Sequence, residues 1–294
     1  MKDDLVYKIS KFFMVLVLIA AGIITIYPLL FVFSMSISEP GYVLRRDVYF
    51  WPRGFDLSGY RMVFANSNVW RAYANTLFVT LAGTALNIVM TIIVAYPLSR
   101  DQFVLKKPLT IMITLTMFIS GGMIPFFIVL NNLGLYNNRL AVILPFAVSA
   151  WNILIARAYY LTLPESLAES AKIDGANDIT VLFRIMVPLS GPIIAVLTLF
   201  YAVGHWNSYF WPMVLLPSPD LHTLQIYLHR ILIMLQADLS GAPGGGAQIG
   251  IMRSAQIEMF RYAAIMVSML PIMAIYPFLQ RYFVKGVMIG AVKE

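Results

Sequence analysis

Few side chains in this sequence are of types that could perform chemistry. The chain of 294 residues holds three histidines, His205, His222 and His229, and none has metal-ligand spacing or a carboxylate beside it. His222 and His229 lie seven apart, a spacing that shares one helix face and suits packing. With no cysteine, disulfides, thiolate zinc sites and iron–sulfur clusters are excluded. Asp220 and Asp238 are too isolated for the paired carboxylates of a glycan-processing enzyme. The phosphate-loop pattern Gly-x-x-x-x-Gly-Lys-Ser/Thr is absent, so the chain does not hydrolyse ATP by itself. No catalytic residue and no metal site is expected. Two polar groupings remain: Gly204-His205-Trp206-Asn207-Ser208 inside an apolar run, and a long segment from Glu165 to Pro192.

That segment reads ESLAESAKIDGANDITVLFRIMVPLSGP. Thr162 followed by Glu165, with Pro164 in the first turn, predicts a capping-box helix start. Helical spacing puts Glu165, Glu169 and Lys172 on one face, and Ala168, Ala171 and Gly175 on another. The small residues form a strip that a second protein could approach closely. Asp174-Gly175 supplies a turn, and Asn177 or Asp178 can cap a second helix. The result is an amphipathic helix along a membrane face, either docking a partner or tucked against headgroups.

The setting for both groupings is a membrane. Hydrophobic residues make up 60% and charged residues 12%, with mean hydropathy +0.78, against about 25% charged in soluble domains. Runs without charge extend over Phe12–Ser38, Ala72–Ser99, Pro108–Asn138, Leu140–Ala156, Ile185–Pro219 and Tyr262–Gln280. A spanning helix needs about 20 residues, so each run predicts one crossing. The expected fold is an all-α integral membrane protein with six transmembrane helices, forming one permease-sized domain over residues 1–294. Lys8 and Lys11 precede the first run, which is longer than a signal peptide's core and lacks a cleavage site before Ser34. It is expected to remain as an anchor.

Positive charge orients the chain weakly by count but clearly by type. With the N-terminus in the cytosol, Lys2, Lys8, Lys11, Lys106, Lys107, Lys172, Lys285 and Lys293 all fall on the cytosolic side, and outer positive charge is arginine alone. Residues 162–191 are then cytosolic, and both termini are too. Residues 39–71 and 218–261 become outer loops, the second with a flexible Gly-rich run, Ser240–Gly250, and a surface helix over Leu221–Leu235. The net charge of +7 reflects lipid-facing anchors and outer arginines rather than a nucleic-acid surface. Arg45, Arg46 and Arg53 beside Tyr42, Tyr49, Phe50 and Trp51 read as an interfacial belt or as a contact for an acidic ligand. His205, Trp206, Asn207 and Tyr209 either pack helices or line a substrate pathway, and Tyr209, Phe210 and Trp211 either stack on a sugar ring or form an interfacial belt.

Every Asp and Glu falls at or beyond a membrane edge, so the ion-coupling groups of a secondary carrier are missing. An integral-membrane glycan or lipid enzyme would need paired carboxylates, and a channel would conduct alone. A transporter built this way draws its energy from a partner.

The polar segment resembles the cytosolic Glu-Ala-Ala loop of ABC-importer permeases, E-A-A-x-x-x-G, nine residues, then I-x-L-P. Glu169, Ser170, Ala171, Gly175, Ile185, Val187 and Pro188 occupy those positions, with Ser170 and Val187 departing from the pattern. Asp174, Ala176, Phe183, Leu189 and Pro192 match the carbohydrate-importer form. The six runs and the ending KGVMIGAVKE also look like the maltose-transporter-type permease. Phe118–Pro145 and Phe200–Pro212 resemble the branch that handles polysaccharide-derived and complex oligosaccharides, near alginate-type importers.

The resemblance implies a type I import permease fold with a cytosolic coupling helix around Glu165–Gly175. The implied partners are a second, related permease, two ATPase subunits and an extracytoplasmic solute-binding protein, with ATP and Mg held by the ATPases and no cofactor on this chain. Coupling to the ATPase would use Glu165, Glu169, Ser170, Ala171, Lys172, Asp174, Gly175, Ala176 and Phe183. Among them Glu169 would make polar contact, Ala171 and Gly175 would allow close approach, and Asp174 would fix the turn. Closure of the ATPase dimer would move the spans as a lever. The outer arginines favour an acidic oligosaccharide.

Overall fold

A computed structural model describes residues 2–241 and 254–275. Among them there is helix and no strand, as an apolar chain without water to satisfy its backbone requires. The Gly-rich run beyond Gly241, the end of the sixth apolar run at 276–280 and the ending KGVMIGAVKE lie outside the described residues.

The chain divides into two compact units, Met1–Val69 with Leu228–Pro271 and Trp70–Tyr227 with Ile272–Glu294. In the first, α1 (Lys2–Ser36) is one unbroken helix, because its run of apolar residues offers nothing but intrahelical hydrogen bonds; Pro28 is carried inside it. Short helices α2 (Pro40–Leu44) and α3 (Ser58–Ala65) follow. Met35, Val43, Val48 and Met259 form this unit's core, with Phe31 set edge-on to Tyr262. Gly59 is required there: a Cβ on it would lie 2.7 Å from the Met259 carbonyl oxygen. Three serines pin the stretch after α1, with Ser34 Oγ donating to the Phe50 carbonyl and Ser36 Oγ 2.8 Å from the Tyr60 hydroxyl, while Arg53 N donates to Ser38 Oγ.

The second unit is organised along α4 (Ser67–Ser99), with α5 (Lys106–Leu115), α6 (Met123–Asn132), α7 (Ala150–Tyr160), α8 (Ser166–Ile173), α9 (Asp178–Val181), α10 (Val187–Leu189), α11 (Gly191–Trp206) and α12 (Phe210–Leu215). A π-helical turn, Leu182–Met186, joins α9 to α10. The helix expected over Leu221–Leu235 is found as α13 (Leu224–Gly241), which from Leu228 onward belongs to the first unit, as does most of a final helix, α14 (Ser254–Ile275).

The six apolar runs do not become six straight spans. Tyr7–Ser36, Ser67–Ser99 and Ser254–Ile275 are each long and apolar enough to cross a membrane. Two others qualify only as bent pairs, Arg139–Phe146 with Ala150–Tyr160 at 45° and Asp178–Leu189 with Gly191–Trp206 at 82°. Pro108–Asn138 is split into α5 and α6. α5 stops at Leu115, and α6 restarts only after Gly122, its N-cap at φ +83, with Pro125 in its first turn. At the 82° bend, Pro188 and Pro192 flank Ser190-Gly191 and remove backbone donors on both sides. Composition marks the spans, but glycine and proline decide where they break.

Candidate coupling surface and polar cluster

The polar segment is bolted to a rigid core. Ala168 and Ala171 are buried, and they pack with Ile153, Val181, Leu182 and Met186, together with Ile92, Ala95 and Tyr96 at the C-terminal end of α4. The alanine strip therefore seats α8 on its own chain rather than offering a surface to another protein. That corrects the expected close-approach role of Ala171. Further ties surround it: Arg157 Nε donates to the Leu98 carbonyl at 2.8 Å, the Tyr159 hydroxyl donates to the Leu189 carbonyl at 3.0 Å, and Tyr96 meets Tyr160 edge-on.

The helix ends also differ from the sequence pattern. No capping box forms: α8 begins at Ser166 with Glu165 as its N-cap and no side-chain cap bond, while the Thr162 hydroxyl donates to the Tyr159 carbonyl. Leu163-Pro164 lie between Thr162 and the helix, too far back for the threonine to reach its first amides. At the other end, Gly175 N donates to the Lys172 carbonyl and Ala176 N to the Ala171 carbonyl, the paired bonds of a Schellman turn. Gly175 adopts φ +85 to close it. The backbone thus sets the turn; the Asp174 side chain is exposed and enters none of the described hydrogen bonds. Asn177 caps α9 as expected, its Oδ1 accepting from Thr180 N at 2.8 Å.

Glu165, Glu169 and Lys172 line one cleft of about 520 Å3 with Tyr96, Arg100 and Ile179. Lys172 Nζ pairs with Asp178 at 2.8 Å and donates to Gln102, and the Asp178 hydrogen bond raises the lysine above its ordinary pKa. A lysine raised on folding contributes stability below its unfolded value and loses it only as pH rises through the higher folded one. The lysine's contribution is therefore constant near neutrality. Arg100 lies over the Tyr96 ring at 4.9 Å.

Outward from this core stand apolar side chains that periodicity did not single out. Ile173 is 86% exposed and Ile179 70% exposed, with Phe183 at 49%. Ser170 and Asp174 are exposed, and Ala176 is half-buried against the core. A row of exposed large apolar groups beside uncommitted carboxylates Glu165 and Glu169 is what a protein interface presents. The sequence signal was available: Ile173 and Ile179 bracket a polar turn with no buried partner implied.

The second polar grouping is a packing cluster inside the unit. His205 Nε2 lies 2.7 Å from Asn87 Oδ1, and Asn87 Nδ2 donates to the Phe146 carbonyl at 2.6 Å. The ring fits because residue 83 is glycine: a Cβ there would be 2.5 Å from His205 Nε2. Trp206 is buried and edge-on to Tyr73, Asn207 is exposed, and the Tyr209 hydroxyl donates to Met213 Sδ. None of the four residues expected along a substrate pathway lines the two cavities described among these residues. Gly83→Ala should cost about 1–3 kcal/mol by overpacking. Thermal unfolding of the detergent-solubilised chain checks this, with Gly83→Ala/His205→Ala losing less than the sum of the single changes.

Three helices long and apolar enough to cross a membrane, with two bent pairs besides, fit an integral membrane protein. Residues 87–289 match the family described as binding-protein-dependent transport system inner membrane component, and the chain belongs to that family. It is similar to the polygalacturonan/rhamnogalacturonan transport system permease YtcP of Bacillus subtilis (strain 168), 35% identical over 94% of this chain and 95% of the relative. The arabinooligosaccharides transport system permease AraQ of Halalkalibacterium halodurans is 28% identical over 92% of both chains. Among solved structures, it matches a bacterial ABC transporter involved in the import of the acidic polysaccharide alginate, with TM-score 0.85 and 33% identity over 94% of this chain and 97% of that one. The chain is a permease subunit, not an enzyme.

Proposed function

We propose that this chain is one of two related permeases of an importer driven by two separate ATPase subunits, which carry the ATP and Mg. A solute-binding protein delivers an oligosaccharide with acidic units on the outer side. The observation that carries the reading is the α8–α9 turn. It exposes Ile173, Ile179, Glu165 and Glu169 while Ala168 and Ala171 anchor it to the core reached by α4, α7 and α11. A push on that surface is delivered to three helices at once, because a packed core transmits displacement rather than absorbing it. Lys2, Lys8 and Lys11 support a cytosolic N-terminus, which puts residues 162–191 on the ATPase side and residues 39–71 and 218–261 outside. The substrate class rests on the relatives: the alginate importer handles an acidic polysaccharide, and polygalacturonan is a polymer of an acidic sugar.

Reconstitution tests it. Proteoliposomes holding both permeases and the ATPases should accumulate acidic oligosaccharide only with ATP inside and loaded binding protein outside. Accumulation by this chain without ATPase subunits would replace the reading with a secondary carrier.

A further inference from the structure

A second cavity lies against the N-terminal half of α4, away from the coupling surface, about 410 Å3 in volume and lined by Phe78, Asn137, Asn138, Arg139, Leu140 and Leu221. We propose that it receives a uronate unit of the transported oligosaccharide, with Arg139 binding the carboxylate. The inference rests on the importer reading above.

The cavity is built before any ligand arrives. Asn137 takes φ +59, donates from its backbone N to the Leu215 carbonyl, and exchanges side-chain bonds with Ser218: Nδ2 donates to Ser218 Oγ at 2.8 Å and Oδ1 accepts from Ser218 N at 3.2 Å. Asn138 Oδ1 accepts from Leu140 N, capping the short 3₁₀ turn Arg139–Val142 that sets the arginine's direction. The Arg139 guanidinium lies 5.6 Å over the Phe78 ring. The ring attracts the guanidinium through its π face, and the exposed side chain keeps N–H donors of the kind that take a carboxylate by two parallel hydrogen bonds. Among the described residues no carboxylate pairs with Arg139; Asp220, on the same side, is held by Arg71. Phe78, Leu140 and Leu221 give an apolar floor beneath the asparagines and arginine, which suits a sugar ring with one apolar face and polar edges.

Its position fits cargo rather than coupling. From Phe78 to Ser99, its last residue and the neighbour of Arg100 in the coupling cleft, α4 rises through 21 residue steps, about 32 Å at 1.5 Å per residue. That matches the roughly 30 Å of a bilayer's hydrocarbon core. With the coupling surface in the cytosol, Arg139 stands at the outer face.

The test compares an acidic oligogalacturonide with its methyl ester in the complete reconstituted transporter, parent against Arg139→Gln, in vesicles with and without anionic lipid. The parent should import the acid faster. Arg139→Gln should slow the acid by on the order of tenfold, the loss of one charge-assisted contact, and leave the ester unchanged in both lipids. An equal fall for acid and ester would mean docking or fold rather than recognition and would overturn the proposal, as would no change. An effect that vanishes without anionic lipid would assign Arg139 to headgroup phosphate instead. If the parent imports neither form, the substrate class itself fails and this site falls with it. Import by the parent with Arg139→Gln indistinguishable sinks the site alone.

Discussion

Gly175→Val in the reconstituted importer is expected to cut uptake to below about a tenth of the parent rate while the subunit still inserts. A side chain at φ +85 is strained by about 1–2 kcal/mol, and a β-branched one by more. Open space surrounds the position, so the effect comes from backbone torsion and not from collision. The turn relieves the strain by opening the bonds from Gly175 and Ala176 to Lys172 and Ala171, which swings the end of α8 and misplaces Ile173. Gly175→Asn is the control, because asparagine tolerates the left-handed region and should keep most of the uptake. Sugar accumulation and ATP hydrolysis measured together check the outcome: hydrolysis should persist at a fraction that no longer moves sugar. Parent-level uptake by Gly175→Val would remove the turn from the mechanism.

The second large effect is expected at Ile173. In the isolated permease the side chain is 86% exposed, so Ile173→Asp should change stability by no more than about 0.5 kcal/mol. In the assembled transporter the same change removes about 1.5–3 kcal/mol of apolar burial and adds an unpaired carboxylate to a dry contact. ATPase affinity should fall by about a hundredfold or more. Titrating ATPase subunits onto permease in nanodiscs reads the affinity, and the permease's own thermal midpoint serves as the control. Unchanged affinity would mean that Ile173 faces something other than the ATPase.

How far the sequence could be read depended on the kind of question. Periodicity separated the Glu165–Glu169–Lys172 face from the Ala168–Ala171 face correctly, and the three charged residues do line one cleft. It could not say which face meets the chain itself, because that is decided by Val181, Leu182 and Ile153 arriving from other elements. The capping box was misread for a related reason. Thr162 has the right type and spacing, but Pro164 and the turn after α7 give its hydroxyl a nearer acceptor, the Tyr159 carbonyl. The sequence leaves His205 between a packing role and a pathway role and does not show the socket that Gly83 and Asn87 form around it; a glycine 122 residues away carries no local signal. Apolar runs mark a membrane protein, yet the restart of a helix at Gly122 and the 82° bend at Ser190-Gly191 depend on single residues that averages conceal.

The central claim, that the α8–α9 turn is the seat of a separate ATPase, can be tested with one thiol. The chain has no cysteine, so Ile173→Cys introduces a single labelling site at the most exposed large apolar side chain of the turn. Maleimide labelling in nanodiscs should be fast for the permease pair alone and slow severalfold once the ATPase subunits are added, with a cross-linker on the thiol capturing an ATPase subunit. Equal labelling rates with and without bound ATPase, in a complex shown to be intact, would contradict the account.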